Sequence, residues 1–367
     1  MTIKNLLNLL LCLILLSCST DDNNSEPTEN IFNGDIVISS QAEVDLLEAY
    51  TKISGDLRIE TLLSSTDIIN LSVFSDLTEI GGDFILENNY GVMNTESFSK
   101  VQLVGGSLEL VNNAIKNLNG FLNLKSIGSN LTIRNNALEN IDGLANLVSI
   151  GGDFNIKQSQ ISSLEAFKNV TSTLKGFIWL EMESLQNLNG LPKIGLTTES
   201  IVISQTKIQS LEQFSDLQKI NGLLEINNND NLENLNGFQN INSIQGNLSV
   251  RGNDGLQNLD EINNLSILSG ELDVFGNINL ENINGLSSLS SVGGQIKIYF
   301  NDILSNLDGL SNITSTSGRL EVESNTVLKD FCGLNSLFNN GGTLFAISLN
   351  AYNPTEQDFT DSNCSVE

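Results

Sequence analysis

Phe177 and Trp179, the latter the only tryptophan, stand two residues apart in a segment of alternating polarity. An aromatic ring turned outward from such a segment offers an apolar face with a polar edge, which suits anchoring on a protein or a glycan. Neighbouring segments place Arg134, Lys157 and Glu181 at outward positions, and Phe275 and Tyr299 form a second outward aromatic pair one repeat apart. These residues are the candidate ligand-binding set.

Catalytic chemistry finds less support. Asp56, Arg58, Glu60, Asp83 and Glu87 could set carboxylates beside a guanidinium on one surface, as in β-coil enzymes that cleave acidic polysaccharides. Alternating charges are also the ordinary solvated surface of a sheet, so no catalytic residue is assigned. The chain has 0 histidines. That removes the commonest general base near neutral pH and the commonest metal ligand. Calcium-binding solenoids carry a Gly-Gly-x-Gly-x-Asp pattern that is missing here. No metal and no cofactor is expected.

The elements that position these side chains repeat. A pattern Gly-x-Leu-x-Ile-x-x-Asn-x-x-Leu-x-Asn-Leu-x-Gly-Leu recurs at about 24 residues, the period of a solenoid. Its glycines fall at Gly82, Gly106, Gly152, Gly176, Gly222, Gly246, Gly270, Gly294, Gly318 and Gly342. In the coil from Gly246, Leu248 and Val250 alternate with Asn247, Ser249 and Arg251. Period two marks a half-buried strand. Asn253 follows, with counterparts at Asn89, Asn113, Asn136, Asn229, Asn277, Asn301 and Asn325. Stacking would make these asparagines a buried ladder that satisfies backbone groups at a turn. Leu256, Leu259, Ile262, Leu265 and Leu268 point inward from the rest of the coil.

The spacing leaves little room for a full helix. The reading is an all-β-rich solenoid, a triangular or flattened parallel β-coil of about 14 coils, on the order of 65 Å long at the usual strand spacing. Strands run from Ile36–Ile38 and Leu57–Ile59 to Leu320–Val322 and Leu344–Ala346. Aromatics are only 6% of residues, so Leu, Ile and Val fill the core. Residues 41–50, after the N-cap candidate Ser40, carry Val44, Leu47 and Tyr50 at helical spacing and are expected to form an N-terminal lid. Cys332 and Cys364 are expected to pair, as befits an exported protein, and to pin residues 351–367 as a C-terminal cap.

The unit Leu-x-Ile-x-x-Asn-x-x-Leu resembles a leucine-rich repeat. Ile150-Gly151-Gly152-Asp153-Phe154-Asn155-Ile156 is more similar to the receptor L-domain variant, found in ligand-binding lobes of growth-factor-receptor ectodomains and in surface lipoproteins of Bacteroidota. Asp330-Phe331-Cys332-Gly333-Leu334 and Asn350-Ala351-Tyr352-Asn353-Pro354 with Cys364 resemble the usual end of such bacterial chains. The resemblance spans about residues 34–364. It implies a binding scaffold and supplies no catalytic motif.

The N-terminus suggests an address. Lys4 precedes an apolar run from Leu6 to Leu16, too short to span a bilayer and typical of a secretory signal. Leu15-Leu16-Ser17-Cys18 resembles the bacterial lipoprotein box, which implies cleavage of residues 1–17 and lipid on Cys18. Residues 18–33 read as a polar, acidic tether before a solenoid over 34–350. An acidic stretch after the lipidated cysteine resembles a surface-export signal, placing the domain outside the outer membrane.

The net charge of −27 repels nucleic acid and anionic headgroups and favours solubility of an extended monomer. The repeat breaks where Ser159, Glu183 and Thr206 replace the ladder asparagine and no glycine stands at Glu199-Ser200. Phe177 and Trp179 lie within that stretch, and broken regularity is where function or strain is expected. The leading expectation is a lipid-anchored surface adhesin or capture module for a protein or glycan. The alternatives are a structural spacer of the cell envelope and a polysaccharide-active enzyme.

Overall fold

A computed structural model describes residues 29–65 and 68–366. Lys4, the apolar run, Cys18 and most of the acidic tether lie outside the described residues. The rest is a three-sided parallel solenoid.

One side is a 14-stranded parallel sheet in strict sequence order, from Ile36–Ile38 to Phe345–Ser348. Its register repeats without slippage through the middle: Leu131 faces Phe154, Phe154 faces Ile178, and Ile178 faces Ile201. The second side is a stack of short 3₁₀ helices, such as Asp142–Leu144 and Asn284–Leu286. The third carries two-residue strands in two six-stranded sheets, one ending at Ser149–Ile150 and the other starting at Thr197–Thr198. The coil expected without full helices is thus correct. Its back is built from 3₁₀ turns, which the Leu-x-x-Leu spacing fits as well as it fits irregular turns.

Inward strand positions are buried without exception in the middle coils, as at Leu131, Ile133, Phe154, Ile156, Ile178 and Leu180. Phe74, Phe98 and Phe121 continue the core beneath the 3₁₀ side, with near-parallel rings 5.8 and 6.1 Å apart. Coils approach each other closely there. A Cβ on Gly143 would lie 1.7 Å from the Leu118 carbonyl oxygen, which explains the Asp-Gly dipeptide in that turn.

The asparagine ladder is present. After most strands the chain turns through a left-handed residue, such as Asn112 (φ 54°) or Asn228 (φ 56°), a conformation that asparagine and glycine adopt most easily. The next asparagine turns inward. Asn277 Oδ1 accepts from the backbone N–H of Asn253 at 3.0 Å, and its Nδ2 donates to Val250 O at 2.9 Å. The ladder runs from Asn89 to Asn136 and again from Asn229 to Asn325, then on to Asn350 and Asn353.

A second ladder, not read from the sequence, lies at strand entry. Asp56 Oδ1 accepts from Asp83 N, Asp83 Oδ1 from Ser107 N, and Asp153 Oδ1 from Phe177 N, each at 2.8 Å.

Both caps exist, with two corrections. Ser40 forms a capping box with Glu43, but the helix spans only Gln41–Val44 rather than residues 41–50. The chain must become extended to pair Lys52–Ile53 with Ile31–Phe32, so Leu47 and Tyr50 pack from a turn instead. At the other end Cys332 and Cys364 are bridged, with Cα atoms 4.9 Å apart. Phe359 of the helix Glu356–Thr360 is buried and stacks on Phe338 at 4.0 Å. The last strand is Phe345–Ser348, one residue later than expected. Gly341 and Gly342, both at positive φ, form an extra turn, and the shift leaves Leu344 83% exposed while Phe345 faces Leu320.

Candidate ligand-binding face

The long sheet sorts its outward residues into rows. Arg134, Lys157 and Glu181 occupy one register position on successive strands. Arg251, Phe275, Tyr299 and Glu323 continue that row further along. Trp179 sits in the adjacent row, beside Asn155 and Val202. Phe177 stands just before the strand, in the strand-entry row, where it offers no acceptor and interrupts the second ladder.

Trp179 is turned away from the core, as alternation requires, yet it is half-buried. Lys157 Nζ lies 3.5 Å from its ring centroid, and the Phe177 ring centre is 5.5 Å away. The indole Nε1 is buried and has no hydrogen-bond partner, and neither has Asn155 Oδ1 on the adjoining strand. Burial, then repulsion from Arg134, pulls the Lys157 pKa below the usual lysine value, while Glu181 acts in the opposite direction. Trp179 is therefore partly occupied by its own neighbours.

The predicted residues form two clusters rather than one. Phe177, Trp179, Lys157 and Glu181 lie together, with Arg134 one strand beyond Lys157. Phe275 is four strands from Trp179, about 19 Å at the usual strand spacing, and Tyr299 is one strand further. Their rings are 6.3 Å apart. Phe300, missed in the sequence, joins them at 5.4 Å from Phe275. It occupies the left-handed turn position that holds asparagine or glycine in six other coils and Gln158, Gln205, Ser324 and Leu349 in four, and a bulky aromatic there was the available signal. Arg251, Asp273, Phe275, Lys297, Tyr299, Phe300 and Glu323 line a cleft of about 380 Å³.

The solved structures with detectable likeness include a leucine-rich-repeat protein of Leptospira interrogans. It is 14% identical, with 82% of this chain and 87% of that one covered, at a TM-score of 0.32. An internalin of Listeria monocytogenes is also 14% identical, with 86% and 89% covered, at a TM-score of 0.38. The sequence matches no family model.

The carboxylates once considered for catalysis are engaged elsewhere. Asp56 holds the Asp83 backbone through one oxygen and Arg58 through the other at 3.1 Å. The backbone N–H of Asp83 and then Arg58 keep the Asp56 pKa below the usual carboxylate range. Arg58 also lies 3.6 Å from both Glu60 and Asp83. Nearby Glu109 is pushed the other way, first by burial and then by Asp83 and Glu87.

The broken coils leave their mark on the short-strand side. One residue more lies between Phe167 and Ile178 than between Leu144 and Phe154. Thr171–Lys175 consequently forms no short strand. Ser172 Oγ accepts from Ile150 N at 2.9 Å in its place, and the side sheet splits. A groove of about 720 Å³ opens there beside Lys175, Lys193, Leu196 and Asp216. Among the described residues no acidic, histidine or cysteine cluster could hold a metal ion.

Proposed function

We propose that this protein is a lipid-anchored surface binding module, an adhesin or capture protein whose long sheet face takes a protein or glycan ligand. The observation that carries this is the pair of aromatic clusters on that face. Rings at outward positions contribute little to the core, and exposed aromatics in clefts are the typical anchors of recognition surfaces. The commitment of Asp56 and Asp83 to the backbone supports a binding role without catalysis. No helix among the described residues is long and apolar enough to cross a membrane, and the lipoprotein box at Cys18 supplies an anchor in this reading.

Two experiments test it. A Cys18→Ala variant should leave the membrane fraction. Retention there, or an unmodified Cys18 by mass spectrometry, would remove the anchor. The intact protein, Trp179→Ala and Phe275→Ala should then be applied to glycan and host-protein arrays. Ligand lost in either variant with an unchanged melting temperature supports the face. No ligand on any array leaves the spacer reading.

A further inference from the structure

We infer that the cleft of Phe275, Tyr299 and Phe300 is a subsite for a neutral sugar ring. This rests on the surface-binding reading above and names the chemistry of its ligand.

Three observations converge. First, the rings are presented to solvent: Phe275 is 41% and Phe300 50% exposed. Phe275 meets Phe300 at 63° and Tyr299 at 60°, so the three rings do not stack face to face on one another. The Tyr299 hydroxyl donates to Glu321, and burial followed by that bond raises its pKa, which keeps the phenol protonated and the ring fixed.

Second, Phe300 is in the wrong place for stability. Its φ is +55°, where the same turn carries Asn88, Asn112, Asn135, Asn228, Gly252 and Gly276 in six coils and Gln158, Gln205, Ser324 and Leu349 in four; Phe300 is the one aromatic ring among them. A bulky side chain in the left-handed region is strained, and such strain gathers at functional sites. Half its surface faces water, so core packing does not compensate for that cost.

Third, the floor is a built polar surface. Asp273 is only 4% exposed, is held by Arg251 through Oδ2, and leaves Oδ1 without a hydrogen-bond partner. Lys297 is oriented by Glu271 at 3.1 Å.

Charge then selects the ligand. The chain as a whole carries −27, yet the cleft lining balances Arg251 and Lys297 against Asp273 and Glu323. A cationic side chain would meet two cations and a polyanion two carboxylates. A sugar hydroxyl both donates and accepts, so it can use both kinds of group. The ring's C–H face suits the exposed aromatic rings. The volume of about 380 Å³ is at the small end for ligand sites and fits one or two sugar units.

The test uses the full chain in calorimetric titration and array formats. Neutral probes are laminarin, mannan, galactan and chito-oligosaccharides; charged controls are polygalacturonate and a lysine-rich peptide. At least one neutral probe should bind, and Phe275→Ala and Phe300→Asn should weaken it by about tenfold or more. Trp179→Ala should leave it intact. Phe300→Asn places there the residue that tolerates the left-handed region best after glycine and that Asn88, Asn112, Asn135 and Asn228 supply in other coils, so it should melt no lower than the parent, and lost binding cannot then be ascribed to unfolding. Neutral-glycan binding that survives both cleft variants but disappears in Trp179→Ala overturns the site and spares the surface-binding reading. Binding of polygalacturonate or of the peptide alone overturns the ligand class. If no glycan binds, the inference falls, while a protein ligand on the host array would keep the broader reading alive.

Discussion

The coils around Ser159, Glu183 and Thr206 and those from Asn229 to Asn353 share one strand register but differ beneath it. In the second group every ladder asparagine is present, and each links two coils. In the first, Ser159 Oγ is buried without a partner, Glu183 turns to solvent, and the ladder restarts only when Thr206 Oγ1 donates to Asn229 Oδ1 at 2.7 Å. The side sheet is also interrupted there. Yet the three-ring cleft lies over the intact ladder. Internal irregularity and exposed aromatic clustering are therefore separable. The first records how a coil tolerates substitution, and the second is written in outward side chains.

The largest test removes the clamp on the regular half. Reducing Cys332–Cys364, or replacing both with serine, should cost up to roughly 3–4 kcal/mol by the chain-entropy estimate for a loop of this size. Hydrogen exchange should accelerate first over Asn325–Asn350 and hardly at all around Ser159. Uniform acceleration along the rod would mean that the two regions unfold as one unit.

Next in size is a pair of ladder substitutions. Asn277→Ala leaves the buried Asn253 N–H and Val250 carbonyl without their partners and should cost about 2–3 kcal/mol in denaturant titration. Ser159→Ala removes a hydroxyl that bonds to nothing and should be neutral or slightly stabilising. Equal costs would erase the distinction.

The smallest effect is optical. Trp179 is the only tryptophan, so its fluorescence reports one site. Lys157 should lose its proton below the usual lysine value. The emission should therefore change at a midpoint below that of exposed lysines, and Lys157→Met should abolish the transition. The sign for stability follows. A depressed folded-state pKa means that the folded protein binds fewer protons, so this contribution is present at high pH and lost as pH falls through the folded value. An unshifted midpoint would mean that Lys157 does not sit over the ring.

Much of the architecture was legible because its causes are periodic. Alternation at Leu248 and Val250 gave the strand, and recurrence of Asn253 gave the ladder. What stayed hidden was local or degenerate. Val44, Leu47 and Tyr50 have a spacing that a turn satisfies as readily as a helix. The extra residue at Gly341-Gly342 moved one strand by one position. Asp56 and Asp83 look like any solvated acids until stacking brings a backbone N–H to each. Phe300 was overlooked because side-chain direction was read along the strands and stopped at their ends.

The stacked coils also set a mechanical property. Neighbouring coils are joined side by side, each ladder bond spanning 24 residues of sequence in the regular half. Tension on the two chain ends would load these rungs one after another rather than together. Each detached coil would release about 80 Å of extended chain. The Cys332–Cys364 bridge closes the C-terminal loop against such peeling, so force entering from that end reaches the coils before residue 332 first. Single-molecule pulling should show a sawtooth with that step, lengthened by the final segment only after reduction.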